Sequence, residues 1–85
     1  TYTLSPNLEI LFLIGEGNLN GTGNASDNYI QGNYGNNTLR GQAGDDYING
    51  SFGDDKLFGD AGDDYLSGSQ GNNTLEGGAG NDYLD

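Results

Sequence analysis

Residues 32–85 repeat every nine positions without an insertion. The six units read GNYGNNTLR, GQAGDDYIN, GSFGDDKLF, GDAGDDYLS, GSQGNNTLE and GGAGNDYLD. Each has Gly first and fourth, Asp or Asn fifth and sixth, and Leu or Ile eighth. A unit this short cannot bury its own apolar residue, so it has to stack on copies of itself. The eighth residues Leu39, Ile48, Leu57, Leu66, Leu75 and Leu84 are the candidate core.

The first six positions are turn formers, and the last three place an apolar residue between two others, a minimal strand. Turn and strand in alternation describe a right-handed coil with two short strands per 18-residue revolution. Successive revolutions stack as parallel strands about 4.8 Å apart. Eighth residues point inward, seventh and ninth outward. Alternate units share a side. One side carries Asn37, Asp55 and Asn73 at the sixth position, the other Asn28, Asp46, Asp64 and Asp82.

Such a core is thin. Only 32% of the 85 residues are hydrophobic and 17 are Gly. Ordering the backbone costs roughly 1–2 kcal/mol per residue, and more for Gly. Cys is absent, which excludes disulfides, and His is absent, which excludes the usual zinc and haem sites. Thirteen acidic residues face two basic ones, a net charge of −11. That balance excludes nucleic acid as a partner and repels an anionic membrane. A disordered acidic segment would not return its acids in register with Gly and Leu. The spacing instead predicts hard cations that neutralise the carboxylates and supply the missing stability.

Residues 1–20 read as a lead-in and capping strand. The apolar run LEILFLI at 8–14 is too short to span a membrane, contains Glu9 and has no basic segment before it. It reads as a buried or half-buried strand that covers the N-terminal end of the stack. Residues 18–20, centred on Leu19, resemble the strand part of a repeat. Residues 21–31 read as a transitional coil with two extra residues between Leu19 and Ile30, and 32–85 as the regular array, part of a longer one.

Gly-containing turns present backbone carbonyls at angles that other residues resist. Carbonyls and carboxylates together make an all-oxygen cage, which suits calcium with its 6–8 oxygen ligands better than magnesium. With these residues in view, the repeat resembles the GGxGxDxUx nonapeptide of the RTX (haemolysin-type) calcium-binding family, strictly over 32–85 and loosely over 21–31. The resemblance implies an all-β fold, a parallel β-roll (β-helix) with calcium between neighbouring turns on one side. It implies one site from Gln42, Gly44 and Asp46 with Gly59, Ala61, Asp63 and Asp64. A second would use Asp60, Gly62 and Asp64 with Gly77, Ala79, Asn81 and Asp82. On the opposite side Ser51, Gly53 and Asp55 would meet Gly68, Gln70 and Asn72. A fourth set, Asn33, Gly35 and Asn37 with Gly50, Phe52, Asp54 and Asp55, offers an amide where the family has a carboxylate, so it binds weakly or not at all. Asn28 with Asp46 has the same defect. The family's second Gly is kept only at Gly78.

Paired acids such as Asp45-Asp46 also occur in glycosidases, but pairs that recur identically and imply no pocket read as metal ligands. No EF-hand loop, phosphate-binding glycine loop or catalytic nucleophile is present, so an enzyme is not expected. Sequons such as Asn20-Gly21-Thr22 read as structural. The seventh positions Tyr29, Tyr47, Tyr65 and Tyr83 are expected to form an exposed aromatic ladder, opposite Thr38, Lys56 and Thr74. Strand propensity and ring packing account for it. A contact surface for self-association, a partner protein or a glycan is the functional alternative. Tyr34 and Phe52 are a lesser patch. Two functions are in play: a calcium-dependent folding module of a protein secreted by the type I route, and an adhesion, surface-layer or fibre-assembly module.

Overall fold

The computed structural model describes residues 2–3 and 9–85. Among the described residues all regular structure is β. One parallel sheet takes β1 (Tyr2–Thr3), β3 (Asn20–Thr22), β5 (Thr38–Arg40), β7 (Lys56–Phe58) and β9 (Thr74–Glu76) in that order. The other takes β2 (Ile10–Phe12), β4 (Tyr29–Gln31), β6 (Tyr47–Asn49), β8 (Tyr65–Ser67) and β10 (Tyr83–Leu84). The chain alternates between the two sheets, which is the β-roll that the nine-residue period implies.

Register follows the period. Tyr29 pairs with Tyr47 and Tyr47 with Tyr65; Leu39 pairs with Leu57 and Leu57 with Leu75. The molecule is a slab of 28 × 25 × 13 Å, thin enough that one column of side chains from each sheet fills it. Ile30, Leu39, Ile48, Leu57 and Leu66 are completely buried, with Leu11, Leu19 and Leu75 packed against them. Burying one such side chain stabilises by about 1.5–3 kcal/mol. The flanking seventh and ninth residues stay at least partly exposed, so within the repeats the eighth-position column of each sheet carries the apolar contribution.

The apolar run forms the terminal rung. Ile10 pairs with Tyr29 and Leu11 with Ile30, while Leu11 is half-buried and Leu13 buried against the core. Ile10, Phe12 and Ile14 alternate outward. Leu8 lies outside the described residues.

One register differs from the sequence reading. The strand expected around Leu19 is β3, Asn20–Thr22, and its inward residue is Gly21, paired with Leu39. A glycine carries no apolar signal, so a search for Leu or Ile settles on the wrong neighbour. Leu11, Leu13 and Leu39 fill the space that a side chain at 21 would need; a Cβ there would sit 3.0 Å from the Leu11 Cδ2. Gly21 and Ile30 are then one period apart, and no residues are extra. The unit that starts at Gly23 is in frame, with Ser26 in place of the fourth glycine.

Candidate metal centre

Each turn is held to the next one on its side by two side-chain ladders. The fifth residue reaches forward. Asp45 N–H donates to Asp27 Oδ1, Asp63 N–H to Asp45 Oδ1 and Asn81 N–H to Asp63 Oδ1, at 2.7–2.8 Å. On the opposite side Asn36, Asp54 and Asn72 donate in turn to Asn18, Asn36 and Asp54. The sixth residue reaches back. Asn28, Asp46 and Asp64 N–H donate to the Oδ1 atoms of Asp46, Asp64 and Asp82. Asn37 and Asp55 N–H donate to those of Asp55 and Asn73. The fifth-position ladder of side chains was not read from the sequence. Its signal was there, since only Asp or Asn, each with an acceptor oxygen, stands at that position.

Backbone conformation shapes the later turns. In turns 41–46, 50–55, 59–64, 68–73 and 77–82 the second and fourth residues have positive φ: Gln42 72° and Gly44 95°, Ser51 67° and Gly53 95°, Asp60 67° and Gly62 106°. The fourth glycine is needed twice over. Besides its φ, Gly62 lies so close to the Gly44 carbonyl, and Gly80 to the Gly62 carbonyl, that any Cβ would strike it.

These contacts bring the expected partners together turn by turn. Gln42, Gly44 and Asp46 lie in the turn stacked on Gly59, Ala61, Asp63 and Asp64, joined by the Asp46–Asp64 bond at 2.8 Å. Asp60, Gly62 and Asp64 meet Gly77, Ala79, Asn81 and Asp82 in the same way, with Gly78 against the Asp60 carbonyl. The Asp60 side chain turns away to pair with Arg40 at 2.8 Å, which leaves its carbonyl as the donor on offer. Ser51, Gly53 and Asp55 face Gly68, Gln70 and Asn72 through Asp55–Asn73 and Asn72–Asp54 bonds. There, however, Gly68 O and Gln70 O already accept from Asn73 Nδ2. In the fourth set Asn37 Oδ1 accepts from its own turn's Asn33 N–H, and its Nδ2 donates to Leu19 O.

The second carboxylate oxygen is the unusual atom. Asp46, Asp55 and Asp64 are 3, 1 and 3% exposed, and the Oδ2 of each is buried with no hydrogen-bond donor. Each Oδ2 sits over the first glycine of its own turn, Gly41, Gly50 or Gly59. Burial pushes the Asp46 carboxyl up to about 8; the Asn28 N–H works against this and the Asp64 charge adds to it. Burial raises Asp55 to about 6 and raises Asp64 as well. A buried carboxylate oxygen without a partner costs several kcal/mol unless a proton or a cation meets it.

The donor set names the cation. Among the described residues no three or more acidic side chains converge on a point, and the other oxygens these turns can offer are main-chain carbonyls. Oxygen-only donors on a turn of unusual φ suit a hard ion with loose geometry. A family model for the RTX calcium-binding nonapeptide repeat (4 copies) matches residues 22–57 and 58–85. The chain belongs to the RTX calcium-binding repeat family. No curated protein and no solved structure matches it. RTX repeats bind calcium, and the orphaned oxygens of Asp46, Asp55 and Asp64 fit that ion. When bound, calcium supplies positive charge to buried oxygens that have no hydrogen-bond donor.

The tyrosines of this RTX roll stack face to face. Tyr29, Tyr47, Tyr65 and Tyr83 have ring centroids 4.9, 4.8 and 4.8 Å apart and planes within 3–6°. They border an open groove of about 670 Å³ whose other wall carries Asp27, Asp45 and Asp63. Tyr34 and Phe52 lie 5.0 Å apart on the opposite side, and Arg40 stacks over Phe58 at 4.5 Å.

Proposed function

We propose that this chain is a calcium-dependent folding module of a secreted bacterial protein, exported unfolded by the type I route and folded outside. The expected ligand sets of the tyrosine side are its main sites, with Asp46, Asp64 and Asp82 as their acidic column. The observation that carries this reading is the set of buried, donorless carboxylate oxygens at Asp46, Asp55 and Asp64. Without a cation those oxygens oppose the fold; with one, binding free energy becomes folding free energy. A calcium-poor cytosol and a calcium-rich exterior then decide where the chain folds. The module is structural and has no catalytic role of its own.

The adhesion or assembly reading is weaker, because Tyr47 and Tyr65 are stacked on both faces and offer a glycan only their edges. The test is far-UV circular dichroism during a calcium titration, with magnesium as control. Calcium converts a largely disordered spectrum, in which the amide-closed turns at 23–37 hold what structure remains, to a full β spectrum and magnesium does not. A β spectrum of equal strength in chelator refutes the reading.

A further inference from the structure

Asn73 stands at the sixth position of its turn, where Asp46, Asp55 and Asp64 stand in the three turns before it. Its Oδ1 accepts the Asp55 N–H at 2.7 Å, the same rung that Asp64 makes with Asp46. A backbone N–H only donates, so this bond fixes which end of the amide is oxygen. The other end, Nδ2, lies over Gly68, in the place that the orphaned Oδ2 atoms hold over Gly41, Gly50 and Gly59. There it meets three carbonyls: Gly68 O at 2.9 Å, Gln70 O at 3.3 Å and Gly71 O at 3.4 Å. Asp and Asn differ by one atom at this place. The carboxylate presents an acceptor to a ring of acceptors, whereas the amide presents two protons.

We propose that the Asn73 amide takes the place of the cation in its turn. An ion entering there would have to displace the NH₂ group from Gly68 O and Gln70 O, and it would find a neutral side chain in return. Turn 68–73 is therefore closed without metal. The tyrosine side, with Asp46, Asp64 and Asp82 in succession, carries most of the calcium. This rests on the calcium reading of the orphaned carboxylates, and the experiment separates the two.

Calcium titration calorimetry is run on the full chain and on Asn73→Asp. The substitution replaces the donor by a charged acceptor, and the expected result is one more calcium bound per chain. In calcium-saturated wild type, NMR is expected to show the Asn73 side-chain NH₂ protons protected from solvent exchange. Equal stoichiometry, with calcium bound by both chains, overturns the proposal and leaves the calcium reading standing. Calcium bound by neither overturns both. If Asn73→Asp does not fold, the wild-type NMR decides: protected amide protons support the proposal, and freely exchanging ones overturn it.

Discussion

The turns at 23–28 and 32–37 obey nearly the same formula as those from 41 onward, yet they close differently. In the first two, the sixth-position Asn caps its own turn. Asn28 Oδ1 accepts the Asn24 N–H and Asn37 Oδ1 the Asn33 N–H, at 2.8 and 2.9 Å. Asn24 and Asn33 then accept from Ser26 and Gly35, two residues on. No residue at the second or fourth position there has positive φ. The later turns adopt left-handed residues at both positions, and three of them bury a donorless oxygen. The difference teaches that one fold can be assembled from two kinds of turn. One is satisfied by its own amides, and in the other the sixth side chain leaves a buried oxygen open to a cation, except at turn 68–73, where the Asn73 NH₂ fills that place.

The largest test of that contrast is calcium removal. One ion present at 100 times its Kd stabilises by about 2.7 kcal/mol. Chelation is therefore expected to abolish hydrogen-exchange protection at the Asp46 and Asp64 N–H groups, while the Asn24 and Asn33 N–H groups keep more of theirs. Uniform loss along the chain would break the comparison. Next, Asp64→Asn should change sign with conditions. In chelator it removes a buried charge and stabilises; in saturating calcium it removes a ligand and destabilises by about 1–3 kcal/mol. Asn37→Asp should destabilise in chelator. Thermal melts in calcium and the residual β circular-dichroism signal in chelator read this out for both variants.

Acidity gives a third, smaller effect. In chelator the folded Asp46 carboxyl holds its proton up to about pH 8, against an ordinary value of 3.8. Between those values the folded state binds more protons than the unfolded one, so stability falls as pH rises. Asp55 contributes likewise up to about pH 6. The β circular-dichroism signal of the metal-free protein should therefore be stronger at pH 4 than at pH 8. Smallest is the backbone. Ser51 and Ser69 hold φ of 67° and 60°, which costs a residue with a Cβ roughly 1–2 kcal/mol. Ser69→Gly should recover about 1 kcal/mol in calcium, whereas Asn33→Gly, in a turn without positive φ, should lose stability.

Much of the candidate site was legible because the period ties position to role. The sixth-position acids, the two sides and the tyrosine column follow from counting in nines, and Tyr47 does pair with Tyr65. Gly21 shows where the apolar signal fails: counting nine back from Ile30 lands on it, but it has no side chain, and the space it leaves is filled by Leu11 and Leu13 from another rung. The two kinds of turn were not legible either, since Asn37 and Asn73 are the same residue at the same position.

The sequence by itself determined the coil, its period, its column of Leu and Ile, and its calcium-binding repeat, because composition and spacing are local quantities. Only the tertiary structure decided which way each sixth side chain turns and which oxygens are left without a donor. Those outcomes depend on the neighbouring revolution, 18 residues away, where the N–H and carbonyl groups that settle them are found.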